Sequence, residues 1–268
     1  MKAYCINLDR RPDRLEYISC EFSRINIPFE RVPAVDAQNP EVAAAAARMP
    51  PMPLGHQMGA GAYGCFQSHR KIWRRLIASG ESHAMACEDD LVLDSGLARL
   101  MADDWVPEDA DIVKMETFGS RVHLSRAGAK PAPQGRRLER LRSRHFGTAC
   151  FVISARAAAW LLEETETVNL PIDRFLFDPA SPVFHNLHIY QMSPAPVVQG
   201  GLATKVGARH AAGTADWAAT SIIESGFVPG DLPEEVGSEG WPARLRRRLR
   251  EEARALATGT RYVTVPFG

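Results

Sequence analysis

The run Glu88-Asp89-Asp90 sets three carboxylates at the end of the apolar segment AMAC and just before a second one, LVLD. Anions side by side at a strand end repel one another, and the arrangement is costly unless a cation compensates it. On an extended segment Glu88 and Asp90 fall on the same side, so they can converge on one ion, or on an ion and a sugar hydroxyl. Hard oxygen donors of this kind suit Mg²⁺ or Mn²⁺ held together with substrate phosphates. The other reading is a set of solvated loop charges, and the triplet alone does not decide between them.

Two segments upstream bear on that choice. Gly59, Gly61 and Gly64 lie at the entrance of the helical pattern that carries Ser68 and His69. Glycines there let backbone N–H groups approach an anion, and the helix dipole favours phosphate; His69 by itself reads as a structural, hydrogen-bonded histidine. In INLDRRPDRLEYI a strand ends at Leu8 and Pro12 stands where a helix begins. Arg10, Arg11 and Arg14 are then placed either for a nucleotide phosphate or base edge, or as a solvated charged turn. The chain has no Gly-x-x-x-x-Gly-Lys-Ser/Thr loop, and no Gly-x-Gly-x-x-Gly follows a strand, which argues against ordinary NTPases and dinucleotide dehydrogenases.

The elements that must position these groups follow from patterning. Short apolar runs at 3–8, 29–35, 83–88, 111–116, 148–154 and 188–193 read as strands. Helical patterns at 12–26, 61–79, 95–104 and 155–166 lie between several of them. The order predicts an α/β fold with a mixed, mostly parallel sheet flanked by helices, and ligands beyond the carboxyl ends of the strands. The stretch 40–61, with only a short helix over Glu41–Arg48, reads as a mobile lid. A second stretch, 119–147, reads as irregular and basic: seven arginines, from Arg121 to Arg144, face Glu139 alone.

After Gly230 the composition changes, and residues 241–254 hold six arginines against two glutamates. Trp241, Leu245, Leu249, Ala253 and Leu256 share one helical face, which either packs on the domain or lies on an anionic membrane. This gives a catalytic domain over 1–232 and a C-terminal basic helix and tail over 233–268.

With 268 residues, 45% hydrophobic and 24% charged, the chain is a globular one, neither collagen-like nor disulfide-stapled. Its 32 Lys and Arg balance 32 Asp and Glu, so no bulk electrostatic argument for nucleic acid applies. Asp9 and Arg10 occupy the place of a signal's apolar region, and no apolar run approaches the ~18 residues of a membrane helix. A cytoplasmic protein is expected. Five cysteines without Cys-x-x-Cys spacing read as free, buried, small apolar residues and not as a zinc or disulfide set.

INLDRRPDR, RVPAVDA (31–37), GAYGCFQSHRKIW (61–73), CEDDLVL (87–93), GTACFVISARAAAWLL (147–162) and PID (171–173) together resemble glycosyltransferase family 25 over roughly residues 3–176. This is the family of lipooligosaccharide β-galactosyltransferases, found also in the collagen galactosyltransferases. The resemblance implies a GT-A-type fold and a Mn²⁺-dependent (or Mg²⁺-dependent) inverting reaction on a UDP-sugar carrying galactose or a related hexose. It implies a saccharide or glycolipid acceptor such as a lipopolysaccharide core, which fits peripheral contact of 241–257 with an anionic membrane.

On the residues of this chain, the resemblance implies metal ligation by Asp90 with Glu88; His210 is a candidate further ligand of the kind other GT-A enzymes recruit, with an exposed or structural histidine as its other reading. Donor contacts would come from Asn7, Leu8, Arg11, Arg14, Asp36, Ser68, His69, Glu88 and Asp89. Asp173 is the first candidate for the base and Glu116 the second, with a helix cap as the other reading of Asp173. The chain departs from the family at Cys150, often a tyrosine, and in PAPVVQGG (194–201), a loose version of a Pro-Pro…Gln segment. A noncatalytic nucleotide-sugar-binding protein and a metal-dependent phosphohydrolase are the rival readings.

Overall fold

A computed structural model of the chain describes residues 1–102, 104–208, 250–253, 255 and 257–268. Its first strand, β1 (Lys2–Asn7), is buried over five of its six residues. Pro12 then opens α1 (Pro12–Arg24), where its fixed φ suits a first turn and its missing N–H costs nothing. After β2 (Glu30–Pro33) comes α2 (Pro40–Ala47), capped by Asn39, whose side chain accepts from the Glu41 N–H at 2.9 Å. The long α3 (Ala60–Ser79) ends at Gly80, which adopts φ 73°.

The strands β3 (His83–Cys87), β4 (Leu91–Leu93), β5 (Ile112–Lys114) and β6 (Glu116–Thr117) precede β7 (Arg121–Pro131) and β8 (Arg137–Leu141). Then follow β9 (Cys150–Ser154), α4 (Ala155–Glu164), α5 (Ile172–Phe177), β10 (Ile189–Ser193), β11 (Val197–Gln199) and β12 (Thr260–Thr264).

Nine strands form one sheet in the order β12-β7-β8-β10-β5-β9-β3-β1-β2, and β4-β11-β6 form a second. The large sheet is mixed. Six of its strands run one way and β8, β9 and β12 run against them; the parallel pairs are β1 with β2, β1 with β3, and β5 with β10. Alternation along each central strand feeds two cores. Ala84 and Ala86 of β3 and Phe151 and Ile153 of β9 pack with Phe66 and Trp73 of α3 and Leu161 of α4. Their neighbours Met85, Cys87, Cys150 and Val152 face the other side, against Ile18 and Phe22 of α1.

In the segment 40–61 the short helix expected over Glu41–Arg48 is α2, a 3₁₀ turn follows at Pro53–Gly55, Ala46, Met52 and Met58 are buried among mostly exposed neighbours, and the Gln57 amide bonds the carbonyls of Ala46 and Met49. Several expectations are corrected. Residues 119–147 hold the antiparallel pair β7 and β8, not irregular chain; a register shift between Ser125 and Lys130 breaks the alternation that would have revealed it. The pattern at 95–104 is a 3₁₀ turn over Ser95–Leu100. Cys20 is exposed and Cys65 half-buried, whereas Cys5, Cys87 and Cys150 are buried.

The end of the tail belongs to the large sheet, since β12 pairs with β7 and the Thr117 hydroxyl donates to the Val265 carbonyl at 2.6 Å. His210 and most of 241–257 lie outside the described residues; of the latter, 250–253 are helical. Among the described residues no helix is long and apolar enough to cross a membrane.

Candidate active site

Because β1, β2 and β3 are parallel neighbours, their carboxyl ends at Asn7, Pro33 and Cys87 open onto one place. A pocket of about 130 Å³ lies there. Of the residues expected to hold a donor, Asn7, Leu8, Arg14, Asp36, Ser68, Glu88 and Asp89 line it, joined by Arg10, Gly61 and Cys65. Arg11, His69, Asp90, Glu116 and Asp173 do not.

Asn7 organises the pocket wall. Its amide donates to the Asp89 carboxylate at 2.7 Å and to the Arg11 carbonyl at 3.0 Å, and its side-chain oxygen accepts from Arg31 Nε at 2.9 Å. Arg14, buried on the inner face of α1, stands 2.8 Å from Asp89 and 3.2 Å from Asp90. One guanidinium thus serves two carboxylates.

The acidic run does not act as an alternating strand. Glu88 still continues β3, its N–H donating to the Ala149 carbonyl at 2.9 Å, but the chain bends at Asp89 and Asp90. Asp89 and Asp90 therefore share Arg14, while Glu88 turns to Thr148, whose hydroxyl donates to it at 2.9 Å, and to His69, 3.6 Å away. Glu88 and Asp90 thus take different partners on either side of a bend and not along one extended strand.

Charge follows from these neighbours. Burial pushes the Asp89 carboxyl up to about 6, helped by Asp90 and opposed by Arg14 and Asn7. Burial would raise Glu88 too, but His69, Thr148 and Arg14 outweigh it and hold this carboxyl below its ordinary value.

Other expected contacts are structural. The Ser68 hydroxyl donates to the Gly64 carbonyl at 2.7 Å and accepts from the Val35 N–H at 2.8 Å, tying α3 to the loop after β2. Asp36 pairs with Arg10 at 2.9 Å. Arg11 turns outward to Asp13 at 3.0 Å, because the turn before α1 directs Arg10 and Arg14 to the pocket instead.

The two candidate bases meet around Gly147. Glu116, fully buried, is ion-paired to Lys114, which also bonds the Gly147 carbonyl and lies 4.2 Å from the centre of the Phe177 ring. Burial nevertheless pushes Glu116 up to about 7. Asp173, half-buried in the first turn of α5, accepts from the Gly147 N–H at 3.4 Å and from the Arg174 N–H at 2.8 Å. Burial raises its carboxyl as well. Gly147 adopts φ +75°, and a Cβ there would come 3.2 Å from Glu116 Oε2, so glycine suits both the backbone and the close approach.

Sequence reading passed over Lys114, Cys65, Thr148 and Gly147 as site residues. Lys114 was visible as a lone cation inside an apolar strand, and Cys65 as a ligand type one helical turn before His69. Thr148 and Gly147 carry no local signal; the pairing of β9 with β3 brings Thr148 to Glu88, and that of β9 with β5 brings Gly147 to Glu116.

The chain matches the glycosyltransferase family 25 (LPS biosynthesis protein) pattern over residues 1–176. It is 30% identical over 208 residues to the lipooligosaccharide biosynthesis protein lic2B of Haemophilus influenzae, covering 74% of this chain and 76% of that one. Over 211 residues it is 28% identical to the lacto-N-neotetraose biosynthesis glycosyltransferase LgtB of Neisseria meningitidis serogroup B, covering 74% and 75%. A solved glycosyltransferase involved in glycosylation of the major capsid of PBCV-1 overlays with a TM-score of 0.39 at 10% identity, covering 74% of this chain and 91% of that one. That likeness is too low to carry an argument.

Proposed function

The chain belongs to glycosyltransferase family 25, and from that premise we propose that it moves a hexose, galactose before others, from a UDP-sugar to a saccharide acceptor with inversion at the anomeric carbon. The observation that carries this reading is the pocket at the ends of three parallel strands, where Asn7 and Arg14 hold Asp89 and Asp90. Ligands of open α/β sheets bind at such strand ends.

The donor set fits a hard divalent ion. Three carboxylates, Glu88, Asp89 and Asp90, gather there against the guanidinium of Arg14, which leaves excess negative charge in a largely buried place. Glu88 and Asp89, which line the pocket, would hold Mn²⁺ or Mg²⁺, with Asp90 behind them sharing Arg14. When bound, such an ion supplies positive charge to the departing diphosphate.

The chain's own residues do the rest. Arg10 and Arg14 offer donors to phosphate oxygens. Asp173 takes the proton of the attacking hydroxyl; it is half-buried, whereas Glu116 has no exposure and is locked to Lys114. The relatives named for lipooligosaccharide and lacto-N-neotetraose biosynthesis favour a surface-glycan acceptor for this chain as well.

The test is a thermal-shift and calorimetric panel of UDP-galactose, UDP-glucose, UDP-N-acetylglucosamine, GDP-sugars and CMP-sugars. Each is run with and without Mn²⁺ on the wild type and on Asp90→Ala. Manganese-dependent stabilisation by one UDP-sugar, lost in Asp90→Ala, is the expected result; a ligand at 100 times its Kd stabilises by about 2.7 kcal/mol. A folded protein that responds to none of them overturns the proposal in favour of a noncatalytic role.

A further inference from the structure

Cys65 and His69 stand four residues apart on α3 and so share one face of that helix. Glu88, the first residue past β3, faces them, and the three ligand atoms lie within 4.8 Å of one another. His69 has no solvent exposure, and among the described residues neither of its ring nitrogens makes a hydrogen bond, Nε2 reaching only the Glu88 carboxylate at 3.6 Å. A buried polar group without a partner is costly, so its environment is incomplete as it stands.

The surrounding geometry is that of a ligand set. The His69 ring stacks on Phe151 at 5.5 Å and 22°, which fixes its plane. His69 Nε2 lies 3.6 Å from Glu88 Oε1. Two ligands at about 2.1 Å from a tetrahedral ion are roughly 3.4 Å apart, so this pair already stands near coordination spacing. Thr148 anchors the Glu88 carboxylate at 2.9 Å, as outer-shell donors anchor ligating carboxylates. Cys65 and Glu88 both line the pocket, which gives an ion its path in.

We infer that Cys65, His69 and Glu88 form a cation site for a borderline ion such as Zn²⁺, beside the hard-oxygen position proposed at Glu88 and Asp89. Thiolate with imidazole selects Zn²⁺ over Mn²⁺ and Mg²⁺, which favour carboxylate, carbonyl and water. Binding displaces the Cys65 thiol proton to solvent and leaves a fourth coordination position for water or a substrate oxygen. The two positions share Glu88, so zinc at this one competes with the divalent ion of the proposed transfer reaction. The inference does not depend on that reaction.

Co²⁺ titration of the full chain, followed by absorption, reads the site directly. A near-ultraviolet thiolate-to-cobalt band is expected at one ion per chain, displaced by Zn²⁺ but not by excess Mn²⁺. It is lost in Cys65→Ser and in His69→Gln, and kept in Cys20→Ser, which removes the exposed thiol. Circular dichroism confirms that each variant is folded, and Cys65→Ala substitutes for Cys65→Ser if the latter is not. Absence of the band in folded wild type, or a band that survives loss of Cys65, overturns the site. Asp90→Ala keeps the band while losing the UDP-sugar response, so either reading can fail without the other.

Discussion

The side-chain amide of Asn7 donates to the Asp89 carboxylate at 2.7 Å, joining the last residue of β1 to the second residue past β3. Parallel pairing of the two strands makes this contact possible, because it brings both carboxyl ends to one edge. Asn7→Leu removes the donor and leaves a buried carboxylate with less support. The expected cost is about 1–3 kcal/mol in chemical denaturation, with weaker Mn²⁺-dependent stabilisation by the donor. An unchanged denaturation midpoint would mean that Arg14 alone suffices to hold Asp89.

Asp89 and Glu116 make stability depend on pH in an unusual direction for carboxylates. Their folded values, about 6 and about 7, lie above the ordinary ones, so between those values the native state holds more protons than the unfolded state. Their contribution is fully present below pH ~4 and is lost as the pH rises through 6 and 7. A divalent ion that binds ionised Asp89 offsets this loss. Melting scans are therefore expected to show a Mn²⁺-induced rise in Tm that grows from about pH 5 to about pH 7.5; a rise that shrinks over that range would put the ion elsewhere.

Arg14 is buried between Asp89 and Asp90, and replacing one partner of a buried ion pair leaves uncompensated charge. Arg14→Met is expected to cost about 3–5 kcal/mol, and adding Asp90→Asn to recover part of it. Equal stability of the single and double variants in urea titrations would show that Asp90 is held by other groups.

Much of this arrangement was legible in the sequence. The six apolar runs all contain strands, because central strands buried on both faces read as short continuous apolar segments bounded by turns. Seven expected donor residues line one pocket. What failed did so where chain geometry departs from regular periods. The alternation argument for Glu88 and Asp90 assumed an extended chain, and the chain bends at Asp89. In β7 and β8 Arg121, Arg126 and Arg137 occupy exposed positions while Leu124, Leu138 and Leu141 are buried, so composition hid a pattern that the register shift had already broken. Lys114, Gly147 and Asp173 are far apart in sequence, and the pairing of β5 with β9 together with the placement of α5 assembles them.

Gly64, read in the sequence as a helix-entrance glycine open to an anion, marks a close approach between α3 and the loop after β2. A Cβ there would stand 2.4 Å from the Val35 carbonyl oxygen, a backbone atom that cannot swing aside. Gly64→Ala must separate α3 from the loop after β2 and stretch the 2.8 Å bond between Ser68 and Val35. A loss of roughly 1–3 kcal/mol is expected, the usual cost of overpacking. A urea midpoint equal to wild type would mean that the loop relaxes freely, and that Ser68 does not hold the pocket wall.

Asp173 and Glu116 flank Gly147, and their surroundings separate their roles. Glu116 has no solvent exposure, keeps Lys114 as a partner and, among the described residues, has one carboxylate oxygen buried without a hydrogen bond. Asp173 is half-buried, and among the described residues its carboxylate accepts from the backbone N–H groups of Gly147 and Arg174. Asp173→Asn is expected to lower kcat by about 10²–10⁴-fold with donor KM little changed, the signature of a lost general base. Glu116→Gln leaves Lys114 buried without its counter-charge and is expected to lower Tm before it lowers kcat. Steady-state kinetics on both variants, beside their melting curves, decide the assignment: a larger fall in kcat for Glu116→Gln at unchanged Tm would transfer the base to Glu116.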